Sequence, residues 1–332
     1  MANTRALAIA IIIIVVAASG LYAVKHTGSK TTMYTVRAAT LQGGISTLDI
    51  IEKEGLLEKH GYKLQVLRLQ KTPNILEALA KNDTDLAVIP AEMAAKLIEN
   101  GQDIVIVAVD MLQNQAILVK NNSNITSPED LRGRTVAAVL PSGTYKLFKA
   151  YMKVDYNITV TESPQASPSE IRAVNVPPGS ILDSLQSGQV DAAVIWEPFV
   201  SLAISRGMKV LVSYQDLWNA AGLRGEPVML VWVARGDFAR NHPDALRAFL
   251  AARSEAASMW ATNESLVINV LDSLYKLPQD ASQILYNRVT IVQGNLTSNL
   301  IDSIRSEWWL AWKGGYLEQD PVTIPESAFY AP

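Results

Sequence analysis

Ser142-Gly143-Thr144 is the stretch of this chain best suited to hold a charged group. It precedes a helical pattern, so it offers unpaired backbone N–H groups, two hydroxyls and the positive end of a helix dipole to a carboxylate, sulfonate or similar head group. An N-cap serine with a close-packing glycine would look the same locally. The turn recurs as Gln42-Gly43-Gly44, with Gly43 and Gly143 in register, and this recurrence favours ligand contact. Trp196 and Glu197 form a second candidate edge. Trp196 could stack on an apolar or planar solute. Glu197 could meet an ammonium or other donor, or could serve the start of a helix with Pro198 at its first position. Pro90, Ala91 and Glu92 form the corresponding edge elsewhere in the chain. Thr72 and Asn74 precede a helix that either could cap, or could touch a ligand, and Asp110, at the end of the apolar run 105–109, is placed equally as a ligand contact. Lys146, in the first turn after Thr144, would oppose the dipole and reads as a solvated lysine.

These residues are positioned by a duplicated unit. Residues 75–90 (ILEALAKNDTDLAVIP) align without a gap on the first sixteen positions of residues 181–198 (ILDSLQSGQVDAAVIWEP) at a constant offset of 106, matching Ile75, Leu79, Asp85 and Ile89 to Ile181, Leu185, Asp191 and Ile195. Each copy reads as a short amphipathic helix, a polar turn and a brief β-branched strand that is apolar throughout and so covered on both faces. Ligands of open α/β sheets bind beyond the carboxyl ends of the strands. The residues after each strand are therefore the two halves of one site, and Asp85 and Asp191, at the opposite ends, are turn residues.

The remaining pattern extends this symmetry. Strands are expected at residues 34–40, 64–69, 103–109, 135–140, 174–176 and 209–213, with a helix over 46–59 and another over 145–153. Residues 115–119 read as a strand leaving the first lobe and residues 227–234 as one returning to it. Ser127-Pro128-Glu129-Asp130 is a capped single turn. Helices follow at about 243–263, 264–275, 279–289 and 298–313. Leu246, Phe249, Leu250, Ala257 and Trp260 make a core-facing stripe. Trp308, Trp309 and Trp312 fit a buried helix face better than a stacking patch. The predicted architecture is α/β: two similar lobes joined by two hinge strands into a clamshell, with lobe I at 34–117 and 230–332 and lobe II at 118–229.

Composition excludes several functions. At 332 residues, 49% hydrophobic, 18% charged and a net charge of −3, the chain lacks the basic footprint of a nucleic-acid binder. It has no cysteine, so thiol catalysis, disulfides and cysteine metal sites are absent. His26, His60 and His242 have no metal-ligand spacing. No nucleophile–base pair or nucleotide loop occurs, and neither a metal nor a cofactor is expected. Residues 6–24 (ALAIAIIIIVVAASGLYAV) just reach the length of a bilayer span, about 20 residues. With their linker, residues 1–33 read as a retained membrane anchor or as a signal cleaved after the small residues at 17–19, and either would export the remainder. Sequons at Asn82, Asn121, Asn124, Asn157, Asn263 and Asn295 suit an exported chain.

Residues 85–90, residues 127–144 (SPEDLRGRTVAAVLPSGT) and residues 188–198 (GQVDAAVIWEP) resemble the extracytoplasmic solute-binding components of ABC importers for nitrate, sulfonates, taurine and related compounds. The likeness runs over nearly all of 34–332. It implies a type II periplasmic-binding-protein clamshell that captures a small, anionic solute between its lobes and delivers it to a permease with its ATPase, as a monomer. Two other readings rest on fold analogy. Menaquinone-pathway chorismate dehydratases and the pyrimidine synthases of thiamine biosynthesis use similar clamshells, but the latter rely on cysteine and histidine residues missing here. A sensor module would need an output domain on another chain.

Overall fold

The structure, a computed structural model, describes residues 33–330. The expected export segment at residues 6–24 lies outside them. Of the two compact units into which the chain divides, Thr35–Pro332 carries both sheets.

The first sheet comprises β1 (Thr35–Leu41), β2 (Lys63–Leu69), β3 (Leu86–Pro90), β4 (Ile104–Leu112) and β11 (Val228–Arg235), in the order β2-β1-β3-β11-β4. The second comprises β5 (Ala116–Val119), β6 (Thr135–Ala138), β7 (Val160–Thr161), β8 (Ile171–Asn175), β9 (Ala192–Ile195) and β10 (Lys209–Ser213), in the order β10-β5-β9-β6-β8-β7. Apart from β7 at the rim, the second order repeats the first, with β6, β8, β9, β5 and β10 taking the places of β1, β2, β3, β11 and β4. The duplicated strands also share their pairing. Ala38 and Ala39 lie beside Leu86 and Ala87 in parallel, as Val136 and Ala137 lie beside Ala192 and Ala193. β11 runs antiparallel to β3 and β4, and β5 to β9 and β10. Each crossing strand thus joins the sheet of the lobe it enters, as the clamshell reading requires, and the two crossings are tied where Gln113 N–H donates to Pro227 O at 2.6 Å.

Asp85 and Asp191 have a more specific task than turn formation. Asp85 Oδ2 accepts from Arg37 N–H at 2.9 Å, and Asp191 Oδ2 accepts from Thr135 N–H at 2.9 Å. In both lobes the recurring carboxylate pins the start of the first strand against the incoming third strand, away from the cleft.

The predicted single helix over 46–59 is two, α1 (Leu48–Lys53) and α2 (Leu56–Lys59), separated by Gly55 at φ 58°, a left-handed conformation that glycine adopts without a Cβ penalty. Next come α3 (Thr72–Ala80) and α4 (Ala91–Glu99) in the first lobe. In the second are α5 (Gly143–Tyr156), α6 (Pro178–Gln186), α7 (Phe199–Ser205) and α8 (Tyr214–Ala220), of which α8 had no clear sequence signal. The chain then forms α9 (Gly236–Asn241), α10 (Pro243–Thr262), α11 (Glu264–Tyr275), α12 (Gln279–Arg288) and α13 (Ser298–Lys313). The stripe on α10 is buried except for half-buried Leu250. Trp308 is fully buried, donates its indole N–H to Ala91 O at 2.7 Å and stacks on Phe329, whereas Trp309 is exposed. Among the described residues, no helix is long and apolar enough to cross a membrane. All six sequon asparagines are exposed.

Candidate functional site

The carboxyl ends of the strands in both sheets converge on a narrow cavity that is continuous with solvent. Gly44 after β1, Thr72 at the start of α3, Pro90 at the end of β3, Ser142-Gly143-Thr144 at the start of α5 and Trp196-Glu197 after β9 all line it. An adjoining hollow shares Leu41, Thr72, Ser142 and Trp196 with the cavity and adds Gln42, Lys71 and Asn175, forming its outer mouth. The structure therefore brings together both strand ends and both glycine turns. Gly43, Ala91, Glu92 and Asp110 are not among the lining residues.

The two lobes differ at their first helix N-terminus, and the difference defines the site. In the second lobe, Ser142 caps α5: its hydroxyl accepts from Tyr145 N–H at 3.2 Å and donates to Val139 O at 2.6 Å. The cap satisfies the third N–H of the helix, and Lys146 N–H returns to Ser142 O. The N–H groups of Gly143 and Thr144 have no intrahelical acceptor and stand at the cavity wall. In the first lobe the protein fills the equivalent position itself. Asp110 Oδ2 accepts from Thr47 N–H at 3.1 Å, its other oxygen accepts from the Thr47 hydroxyl, and Trp232 donates to it at 2.8 Å; Asp49 accepts from Ser46 N–H at 3.3 Å. The buried Arg253 lies beside Asp110, its Nη2 donating to Val109 O at 2.6 Å. Asp110 was expected at the cleft as a ligand contact. It is instead a built-in anion for the helix of the first lobe.

Glu197 lines the cavity, but its carboxylate is engaged. Oε1 accepts from Arg288 Nε at 2.6 Å, and Oε2 from Ser201 N–H at 2.9 Å, which caps α7. Burial holds its carboxyl above the usual range, and Arg288 opposes that shift. Of the two roles open in the sequence, the helix-start role is realised, together with an ion pair reaching from α12 to the second lobe. Lys146 is not among the lining residues and is half-buried, not solvated as expected, its ammonium over the rings of Tyr145 and Tyr316. Sequence reasoning missed Asn114 and Gln115, which line the cavity from the first crossing. Asn114 precedes and Gln115 opens a segment read only as a crossing strand, so neither carried a signal as a cavity residue.

Glu92 was expected to face the cleft and lies behind it instead. The carboxyls of Glu92 and Glu307 are fully buried, and none of their four oxygens meets a donor in hydrogen-bond geometry. One proton held between the two carboxyls would satisfy one oxygen of each. Burial pushes Glu92 up to about 7 and Glu307 well above the usual range. A carboxyl raised in the folded chain keeps protons that the unfolded chain loses above pH 4.5, so stability falls as pH rises from 4.5 through about 7. Asp49 and Asp155, both pushed to about 6 by burial, act in the same direction. We expect Glu307→Gln to raise stability at pH 8 by on the order of 2 kcal/mol and to flatten the profile. Urea denaturation at pH 5 and pH 8 checks this; a variant as pH-sensitive as the parent would contradict it.

Two crossing strands, two like sheets and a cavity at the strand ends define a two-lobed clamshell fold. The chain belongs to the NMT1-like family, whose model matches residues 42–268. It is 28% identical over 207 residues to the taurine-binding periplasmic protein of Escherichia coli, a match covering 61% of this chain and 59% of that protein. It is also 28% identical over 246 residues to a putative aliphatic sulfonates-binding protein of the same organism, covering 71% and 70%. The crystal structure of the E. coli periplasmic aliphatic sulphonate binding protein superposes with a TM-score of 0.70 at 21% identity, over 87% of this chain and 95% of that one. The Xanthomonas axonopodis alkanesulfonate-binding protein bound to MOPS gives 0.70 at 19%, over 89% and 98%. These likenesses show the fold.

Proposed function

We propose that the chain is the extracytoplasmic solute-binding component of an ABC importer, and that it takes a small organic or inorganic anion in the interlobe cavity. The observation that carries this reading is the pair of unfilled N–H groups at Gly143 and Thr144, set against their counterpart in the first lobe, which Asp110 and Asp49 already occupy. A helix N-terminus lined by hydroxyls favours an anion through both its donors and its dipole. Sulfonates are the leading class, since the relatives named above are named for binding taurine or, in the putative case, aliphatic sulfonates. The protein's work is binding, with no covalent step: solute bridges the lobes, shifts the population toward the closed form, and the closed form is presented to a permease. The chain acts as a monomer, anchored through residues 6–24 or released after their cleavage.

Thermal unfolding of the purified chain with nitrate, bicarbonate, alkanesulfonates and aromatic acids tests the reading. A ligand at 100 times its Kd adds about 2.7 kcal/mol to the folded state, so at least one anion should raise the melting temperature by several degrees. No shift with any anion, or turnover of any of them, would sink the reading.

A further inference from the structure

We propose that the cavity selects anions whose body is uncharged and apolar, rejecting those that carry an ammonium, and that the Trp196 indole N–H is a second donor to the ligand. The inference rests on the solute-binding reading above and narrows its substrate class.

Two observations carry it. The first is that no carboxylate is left to receive an ammonium. Among the described residues, Glu197 is the one charged residue lining the inner cavity, and it is paired with Arg288 and Ser201. Asp110 is held by Thr47 and Trp232, and Asp49 by Tyr275 and Arg68. Glu92 lies behind Gly143 against Glu307. The charged residue lining the outer mouth is Lys71, which attracts an anion and repels an ammonium. The rest of the inner wall is apolar (Ile45, Met111, Met229, Leu230) or neutral and polar (Thr40, Gln115). An ammonium brought there would lose its water without gaining a counter-charge, a heavy penalty for a buried ion.

The second observation is Trp196. It is 5% exposed and lines both the inner cavity and the mouth, and its indole nitrogen has no hydrogen-bond partner. Buried indole N–H groups usually find an acceptor, and those of Trp218, Trp232 and Trp308 do; Trp260 shares the lack of a partner, but of the two only Trp196 lines the cavity. An acceptor oxygen on a ligand held at Gly143 and Thr144 would supply the missing partner.

Calorimetric titration of the full chain with ethanesulfonate and with taurine, which differs from it by the ammonium, is the test. Ethanesulfonate is expected to bind at least tenfold tighter. Trp196→Phe keeps a ring but removes the donor, and should weaken ethanesulfonate roughly five- to tenfold while the ligand-free melting temperature stays close to the parent's. Taurine binding as tightly as ethanesulfonate would overturn the selectivity alone and leave the solute-binding reading standing. Unchanged ethanesulfonate affinity in Trp196→Phe would overturn the indole contact. Failure of every anion, ethanesulfonate included, would remove both the inference and the reading beneath it.

Discussion

Arg288→Ala is expected to destabilise the chain by about 3 kcal/mol, at the lower end of the range for breaking a buried ion pair because the guanidinium side is partly hydrated. Glu197 contributes a carboxylate with 0% side-chain exposure, and Arg288 approaches at 2.6 Å with 24% exposure. Removing the arginine leaves a buried acid whose remaining donor is Ser201 N–H. Burial already holds the Glu197 carboxyl above its ordinary range with the arginine present. Without it the folded state must take up a proton or bear an unpaired charge, so the loss should grow as pH rises. Glu197→Gln in the same background should recover much of the loss, because an amide needs no counter-charge. Urea midpoints for the parent, both single variants and the double variant make the comparison. A cost below about 1 kcal/mol for Arg288→Ala would mean that the pair behaves as an exposed bridge.

Gly143→Ala is expected to abolish anion capture, with at least a hundredfold loss of affinity, roughly the loss of one or two charge-assisted N–H bonds. A Cβ at this position would lie 2.1 Å from Glu92 Oε1 and 2.7 and 2.9 Å from ring carbons of Pro90. Neither neighbour can yield easily: Glu92 is fully buried against Glu307, and Pro90 ends a sheet strand. The start of α5 must therefore move, carrying its two open N–H groups out of register with the first lobe. Overpacking of this kind also costs about 1–3 kcal/mol of stability. Gly43→Ala provides the contrast. Gly43 has φ 79° and nothing within 4 Å of its virtual Cβ, so that change should strain the backbone by about 1–2 kcal/mol and leave affinity largely intact. Titration of both variants with an anion that binds the parent separates the two effects; equal losses would contradict the placement of the site.

The duplicated unit was legible in the sequence because its signal is local. Residues 75–90 and 181–198 each contain a complete helix, turn and strand, and a common offset shows directly that they are related. Ala39 pairs with Ala87 as Ala137 pairs with Ala193, which sets the first strands at an offset of 98, two residues from the offset of 100 that puts Gly43 and Gly143 in register. The fates of the acidic residues were not legible. Asp110 meets Thr47 across 63 positions and Glu197 meets Arg288 across 91. No periodicity within either segment distinguishes a carboxylate awaiting a ligand from one already paired by a distant element. The same applies to Glu92, whose partner is carried by the last long helix. Ser142-Gly143-Thr144 could be read as an open helix N-terminus because capping chemistry is written in adjacent residues. That the counterpart in the first lobe is closed required the fold. Asymmetry between duplicated halves, invisible in an alignment that rewards their likeness, locates the candidate site.

The account turns on where the solute's head group sits, and a crystal structure of the full chain grown with a saturating anion selected by thermal shift tests it most directly. The predicted result is a closed clamshell with the anionic oxygens within hydrogen-bond distance of the Gly143 and Thr144 N–H groups and Asp110 still bound to Thr47. An anion seated instead on the first lobe's helix in place of Asp110, or outside the interlobe cavity altogether, would contradict it.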